Sequence, residues 1–106
     1  MKKFPITQND KVLVCGHRGQ HCYGIENTLT AFRMAIADGV DMIETDVRLT
    51  KDGHPVLIHD EFVDRTTNGH GRVKDLTLSQ IKEFDATVNA NIKVKKDNIP
   101  TLAEAL

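Results

Sequence analysis

A β–α–β order in the first half of the chain is the feature that most constrains its fold. The apolar run at residues 11–15 predicts a buried strand, residues 27–39 predict an amphipathic helix, and residues 41–49 predict the next strand. Strands that alternate with helices in this way are typical of a parallel sheet. We therefore expect an α/β fold in which successive strands run side by side in the same direction.

Both ends of the predicted helix are marked in the sequence. Asn27 or Thr28 can cap its start, and Gly39 suits the left-handed backbone that ends a helix. Apolar residues recur at helical spacing along one face, and we expect the larger ones in the core. They are Leu29, Phe32 and Ile36, with Ala35 among them.

A hairpin and a long loop are predicted next. Residues 51–54 contain an Asp-Gly pair, which is a strong turn signal, and residues 55–59 form an apolar run that predicts a strand. Residues 60–75 are polar and contain glycine, which predicts a loop.

Two capping boxes predict the remaining helices. One runs from Thr77 to Gln80 and opens a helix through Phe84, and the other runs from Thr101 to Glu104. The helix that begins at Thr101 has about six residues, whereas helices of globular proteins average about eleven or twelve. We therefore expect residues 1–106 to be the N-terminal portion of one longer domain.

Size and charge exclude several functional classes. With 106 residues and a formal net charge of −1, the chain fits one small domain without the basic surface of a nucleic-acid-binding protein. No apolar run approaches the roughly 20 residues of a membrane span. No apolar segment follows the basic N-terminus as it would in a signal peptide, so we expect a cytoplasmic protein.

Two cysteines lie close to two histidines near the first predicted strand. Cys15 and Cys22, with His17 and His21, allow a zinc site as one interpretation. Tetrahedral zinc sites usually show a more regular paired spacing, so we prefer the alternative of two reduced thiols in a cytosolic protein.

A pair of carboxylates lies within the second predicted strand. Side chains of a strand point alternately to opposite faces, so Glu44 and Asp46 would share one face. A hard divalent cation commonly offsets the repulsion between two such carboxylates, although an edge strand could instead expose both to water. His59 ends the next strand and can carry a proton near neutral pH. A metal with a histidine points to phosphate or ester chemistry.

Several short blocks that occur in a fixed order carry a family resemblance. They are Gly16-His17-Arg18-Gly19, Glu26-Asn27-Thr28, Glu44-Thr45-Asp46-Val47, Thr50-Lys51-Asp52-Gly53, His59-Asp60, Asp64-Arg65-Thr66-Thr67-Asn68-Gly69 and Ile99-Pro100-Thr101-Leu102. With these blocks the chain closely resembles the glycerophosphodiester phosphodiesterase family, from about Val12 to its last residue. The resemblance implies a (β/α)8 barrel of the triosephosphate-isomerase type, whose active site lies at the carboxyl ends of the strands.

The resemblance also implies roles for five residues. Glu44 and Asp46 match the ligands of a divalent cation, Mg²⁺ or Ca²⁺. His17 and His59 match the general acid and base, in an order that the sequence leaves open, and Arg18 matches the residue that holds the phosphate. A third acidic ligand and a lysine of the family lie beyond residue 106. We therefore expect this chain alone to bind metal weakly and to catalyse little or nothing.

The reaction implied is the cleavage of a small glycerophosphodiester into glycerol 3-phosphate and an alcohol. Two alternatives stay open. One is a lipid phosphodiesterase, like the distantly similar phospholipases C, which should need an apolar lip around the site that the sequence does not show. The other is a non-catalytic module in which Arg18 and His17 bind phosphate. The preferred alcohol and the oligomeric state are not specified by the sequence.

Overall fold

The computed structural model describes residues 6–8, 11–19 and 21–106. These residues form short strands and helices that we number in chain order. The strands are β1 (Ile6–Gln8), β2 (Lys11–Leu13), β3 (Cys15–His17), β4 (Met42–Glu44), β5 (Val47–Leu49) and β6 (Pro55–Leu57). The helices are α1 (Leu29–Ala37), α2 (Leu78–Lys82) and α3 (Leu102–Ala105), with single 3-10 turns at His21–Tyr23 and Val73–Asp75.

The expected β–α–β unit is present as β3, α1 and β4. β3 and β4 pair in parallel, and His17 lies opposite Glu44 at their carboxyl ends. β1 pairs antiparallel with β2, and β5 pairs antiparallel with β6 around the predicted Asp-Gly turn. The α/β prediction is therefore confirmed, with a parallel pair and two antiparallel pairs in the described residues.

The prediction of one strand over residues 11–15 is wrong. The strand divides at Val14, whose amide donates to the Asp41 carboxylate and whose carbonyl accepts the amides of Asp41 and Met42. The segment before Val14 pairs with β1, and the segment after it pairs with β4. Gly16, which follows the predicted strand, therefore lies within β3.

The predicted strand over residues 41–49 also divides, between Glu44 and Val47. The backbone carbonyl of Asp46 accepts the Ile58 amide, so the chain leaves its pairing with β3 and begins its pairing with β6. Glu44 and Asp46 are therefore not successive residues of one face of a single strand. The premise of the shared-face argument is wrong, and each carboxylate is positioned by its own contacts.

The helices begin where the sequence indicates. Thr28 is the N-cap of α1 and accepts the Ala31 amide, so the choice between Asn27 and Thr28 falls on Thr28. Both capping boxes, at Thr77 and at Thr101, are formed. α2 ends at Lys82, two residues earlier than predicted. No helix in the described part of the chain is long and apolar enough to cross a membrane.

The core lies beneath the hairpin and α2. Its buried members are Val56, Ile58, Val63, Val73, Ile81, Ala86 and Ile99. On α1, Phe32 and Ala35 are buried, but Ile36 is 65% exposed, so its prediction as a core residue is wrong. The Ala35 side chain lies against Gly16 of β3, whereas Ile36 lines an open groove that includes Leu102 and Leu106.

Candidate active site

The turn after β3 brings Arg18 beside the start of α1. Gly19 closes the turn by donating to the Gly16 carbonyl, and Arg18 takes a left-handed backbone conformation with φ of 55°. The Arg18 carbonyl accepts the amide of Asn27 at 2.9 Å. Asn27 is also left-handed, with φ of 56°, a conformation that asparagine tolerates better than most residues. These two residues join the β3 turn to the segment that precedes α1.

His17 and Glu44 form the first pair of the site. They lie opposite each other at the carboxyl ends of β3 and β4, with His17 Nε2 and Glu44 Oε2 3.5 Å apart. Glu44 Oε1 is buried and has no hydrogen-bond partner among the described residues. A buried carboxylate oxygen without a partner is costly unless another group satisfies it.

Asp46 is held by two side chains from the other side of the site. Arg18 Nε lies 3.6 Å from its Oδ2, and Asn27 donates its side-chain amide to the same oxygen at 3.3 Å. Asn27 also accepts the Thr45 hydroxyl at 2.7 Å and is only 3% exposed. Asn27 thus fixes the break between β4 and β5, a role beyond the helix cap that the sequence allowed.

Arg65 joins two carboxylates, and sequence reasoning gave it no role. Its Nη1 and Nη2 donate to the two oxygens of Glu26, each at 2.9 Å. Its Nε and Nη2 donate to the two oxygens of Asp60, at 2.8 and 3.1 Å. Arg65 lies in one of the blocks that carry the family resemblance, but its principal partner is 39 residues away, so no local pattern reveals the contact.

His59 and Asp60 form the second histidine–carboxylate pair. His59 Nδ1 and Asp60 Oδ1 are 2.8 Å apart. Arg65 and His59 lower the pKa of Asp60 from its ordinary value of 3.8 to about 2, against the opposing effect of burial. Because the ionised carboxylate can only accept, Nδ1 of His59 is the donor, and Nε2 is the ring atom left for chemistry. Arg48 holds the His59 carbonyl with two hydrogen bonds.

Glu26 lies at the centre of the site. Burial raises the pKa of its carboxyl, but the hydrogen bond from Arg65 and the charges of Arg65 and Arg18 outweigh burial and lower it. Arg18 Nη1 lies 3.2 Å from Glu26 Oε2. Glu26, Asn27 and His59 also line one small cavity of about 10 Å³, enough for roughly one water molecule.

Apart from the His17–Glu44 pair, these contacts form one network in which acidic and basic side chains alternate. In spatial order it runs through Asp46, Arg18, Glu26, Arg65, Asp60 and His59. Of the five residues that the sequence singled out, His17 contacts Glu44, Arg18 contacts Asp46, and His59 lies at the far end of the network. The arrangement brings together two imidazoles, two guanidinium groups and four carboxylates.

The described residues supply only part of the ligand set that a divalent cation takes. Carboxylate oxygens are the ligands that Mg²⁺ and Ca²⁺ prefer, and the unpartnered Glu44 Oε1 is such an oxygen. No group of three His, Cys, Asp or Glu residues in ranges 6–8, 11–19 and 21–106 could hold a metal ion. Glu44 and Asp46 would therefore be a minority of the six or more oxygens that a hard cation takes.

The remaining candidate ligands lie apart from this network. Cys15 is buried and Cys22 is exposed, and neither forms a disulfide in the described part of the chain. The side chain of His21, the other member of the alternative zinc site, lies outside what the structure describes.

Comparison with known proteins places this geometry in a family context. The model of the glycerophosphoryl diester phosphodiesterase family matches residues 17–106. A glycerophosphodiester phosphodiesterase from Caldanaerobacter subterraneus subsp. tengcongensis is 55% identical over 94 residues, which is 89% of this chain and 39% of that protein. Human glycerophosphodiester phosphodiesterase 1 is 42% identical over 95% of this chain and 31% of its own length.

Solved structures are similar over the same range. A glycerophosphodiester phosphodiesterase from Agrobacterium tumefaciens matches 83% of this chain and 38% of its own, with a TM-score of 0.78 and 41% identity. An Oleispira antarctica phosphodiesterase in complex with the product sn-glycerol-3-phosphate matches 86% and 37%, with a TM-score of 0.76 and 35% identity. The chain therefore spans less than two fifths of these relatives, and its elements correspond to part of their TIM-type barrel.

Proposed function

Because this chain belongs to the glycerophosphoryl diester phosphodiesterase family, we propose that its site takes part in hydrolysing glycerophosphodiesters to glycerol 3-phosphate and an alcohol. The observation that carries the proposal is the pairing of His17 with Glu44 at the carboxyl ends of two parallel strands, the end where barrel enzymes react. The bound product in the Oleispira antarctica phosphodiesterase supports the choice of substrate. We take the substrate to be a small molecule of the cytoplasm.

The proposed chemistry begins with charge. A phosphodiester is an anion and repels an incoming nucleophile, so the site must first offset that charge. Arg18 would hold a phosphate oxygen with its guanidinium, whose planar donors suit this geometry. A cation held by Glu44 and Asp46, Mg²⁺ or Ca²⁺, would supply further neutralisation and polarise the phosphoryl group.

Proton transfer would fall to the two histidines. One takes the proton of the substrate's own glycerol hydroxyl as that oxygen attacks phosphorus, and the other gives a proton to the oxygen of the departing alcohol. Water then opens the resulting cyclic phosphate to glycerol 3-phosphate. Positioned proton transfer of this kind contributes about 10²–10⁴-fold to the rate. For His59 the reacting atom would be Nε2, since Nδ1 faces Asp60.

The test uses a chimera, because this chain alone supplies only two carboxylate ligands for the proposed cation, Glu44 and Asp46. Residues 17–106 would replace the matching segment of the Caldanaerobacter subterraneus relative, and glycerol 3-phosphate release from glycerophosphocholine would be assayed with and without a chelator. We expect release by the chimera, loss of release on chelation, and little release by the 106-residue chain. A folded chimera that is inactive beside an active parent enzyme would refute the proposal, as would release that is indifferent to the chelator.

A lipid phosphodiester is a second candidate substrate, favoured by one observation. Val47 and Leu49 lie on β5, the strand that begins directly after Asp46, are half exposed or more, and line one open groove. They supply exposed apolar surface on the strand next to Asp46, which the sequence alone did not reveal. Parallel assays of the chimera with glycerophosphocholine and lysophosphatidylcholine would decide, because a faster reaction with the lipid would favour this candidate.

The non-catalytic alternative is tested on the 106-residue chain itself. A module that only binds phosphate through Arg18 and His17 should bind glycerol 3-phosphate without any metal. Calorimetry in the presence of a chelator would measure this, with Arg18→Gln as the matched variant. Binding by the original chain that is lost in the variant, together with an inactive chimera, would favour this alternative.

A further inference from the structure

We propose that Arg65 is a positioning residue, which fixes the orientation of His59 through Asp60 and that of Arg18 through Glu26. The inference rests on the proposed function, in which His59 transfers a proton and Arg18 binds the phosphate. Arg65 itself need not touch the substrate.

The contacts of Arg65 with Asp60 carry the first half of the argument. Two of its nitrogens donate to the two oxygens of Asp60, at 2.8 and 3.1 Å, so the carboxylate can neither rotate nor move away without breaking a bond. The oxygen at 3.1 Å, Oδ1, is the one that faces His59 Nδ1 at 2.8 Å. The Arg65 guanidinium therefore sets where the partner of the imidazole lies.

The same fork acts on the other half of the site. Nη1 and Nη2 hold both oxygens of Glu26, and Oε2 of Glu26 also lies 3.2 Å from Arg18 Nη1. One planar cation thus fixes two carboxylates. Asp60 contacts His59, and Glu26 contacts Arg18. An ammonium group could replace the charge but not this geometry, since only a guanidinium presents its donors as a rigid fork.

The contacts of Arg65 contribute to stability as well as to orientation, because its own side chain is 48% exposed while those of Glu26 and Asp60 are only 13% and 28% exposed. The loop around it is held by other bonds. Thr67 donates through its amide and hydroxyl to the Val63 carbonyl, and the Arg65 carbonyl accepts from Asn89. Replacing the Arg65 side chain leaves all of these in place.

The first test reads the imidazole directly. Nitrogen-15 NMR of the 106-residue chain distinguishes the ring nitrogen of His59 that carries the proton in the neutral form. We expect Nδ1 to carry it in the original chain, and a mixture of both tautomers in Arg65→Gln and in Arg65→Lys. The lysine variant separates geometry from charge. This readout needs no enzymatic activity, so it does not depend on the outcome of the phosphodiesterase assay.

The second test measures turnover in the chimera. We expect kcat/KM for glycerophosphocholine to fall about 10- to 100-fold in both Arg65 variants, as for other residues that orient a functional side chain. Arg72→Gln is the matched control. Arg72 belongs to the same loop, is 45% exposed and also pairs with a carboxylate, Glu61, but within the described part of the chain it forms no ion pair with the network. We expect it to leave both readouts unchanged.

The outcomes separate the two proposals. A tautomer that is unchanged in both Arg65 variants overturns the positioning role, even if the chimera is active. Full activity in Arg65→Lys also overturns it, because charge alone would then suffice. Unfolding of both variants assigns Arg65 to stability and rejects the proposal. An inactive chimera with a tautomer that depends on Arg65 counts against the phosphodiesterase function alone.

Discussion

The side-chain amide of Asn27 donates a hydrogen bond to Oδ2 of Asp46, although 19 residues separate the two in sequence. This bond crosses from the start of α1 to the point where the chain passes from β4 to β5. Arg18 lies 3.6 Å from the same oxygen. The position of one proposed metal ligand therefore depends on a residue that the sequence presents as a helix-capping candidate.

Two replacements of Asn27 should separate the contribution of its hydrogen bonds to stability from the cost of its left-handed backbone conformation. Asn27→Ala loses the bonds to Thr45 and Asp46 and places alanine at φ of 56°, so we expect the free energy of unfolding to fall by at least about 2 kcal/mol. Asn27→Gly loses the same bonds without the conformational cost and should be about 1 kcal/mol more stable than the alanine variant. Urea unfolding measures both, and equal stability of the two variants would contradict the argument.

Gly24 should tolerate no side chain, because a second loop lies against it. A Cβ at Gly24 would overlap the backbone carbonyl of Asn89, and its φ of 75° is unfavourable for alanine. We expect Gly24→Ala to lower the free energy of unfolding by about 2–4 kcal/mol. Gly39→Ala is the control, since φ there is 83° but nothing lies within 4 Å of the added carbon. A cost of about 1–2 kcal/mol is expected at Gly39, and an equal cost at both positions would reject the close approach.

Local signals in this sequence predict local structure well. The capping boxes at Thr77 and Thr101 depend on residues three positions apart, and both form as expected. The strand breaks depend on distant partners. Val14 bonds to Asp41, which is 27 residues away, and Thr45 bonds to Asn27, which is 18 away. No hydrophobic pattern within a strand contains this information, so each of the two segments was predicted as one strand and its break was missed.

The site was predicted to a similar extent. The resemblance singled out His17, Glu44 and Arg18, and the structure brings each of them into contact with another residue of the site. The contacts between these residues could not be predicted from the sequence. Arg65 was missed because an arginine in a polar loop gives no sign of its partner until the chain is folded. The catalytic and metal-binding roles stay predictions until the chimera is assayed.

Two residues of α1 should respond very differently to truncation. Phe32 is 7% exposed, so we expect Phe32→Ala to reduce the free energy of unfolding by about 3–5 kcal/mol. Ile36 is 65% exposed, and Ile36→Ala should change it by no more than about 0.5 kcal/mol. Thermal or urea unfolding of the 106-residue chain compares them. A large loss in the Ile36 variant would restore the sequence prediction that this residue belongs to the core.

Acid should weaken the fold through Asp60. Hydrogen bonds from Arg65 and His59 hold its pKa at about 2, below the ordinary value of 3.8, so the ionised form stabilises the folded chain. A depressed pKa gives stability that is complete above the unfolded value and is lost as the pH falls through the folded value. For Asp60 that window runs from about pH 5 down to about pH 2.

The variant Asp60→Asn isolates this contribution, because asparagine does not titrate. The other carboxylates whose pKa is lowered, which are Glu26, Asp52, Asp64 and Glu104, are present in both proteins, and the contributions of those outside the network cancel in the difference. We expect the original chain to be more stable at pH 7 and the difference to shrink as the pH falls to about 2. Urea unfolding at several pH values measures this difference. If it stays constant with pH, the Arg65–Asp60–His59 contacts do not stabilise the carboxylate as the structure indicates.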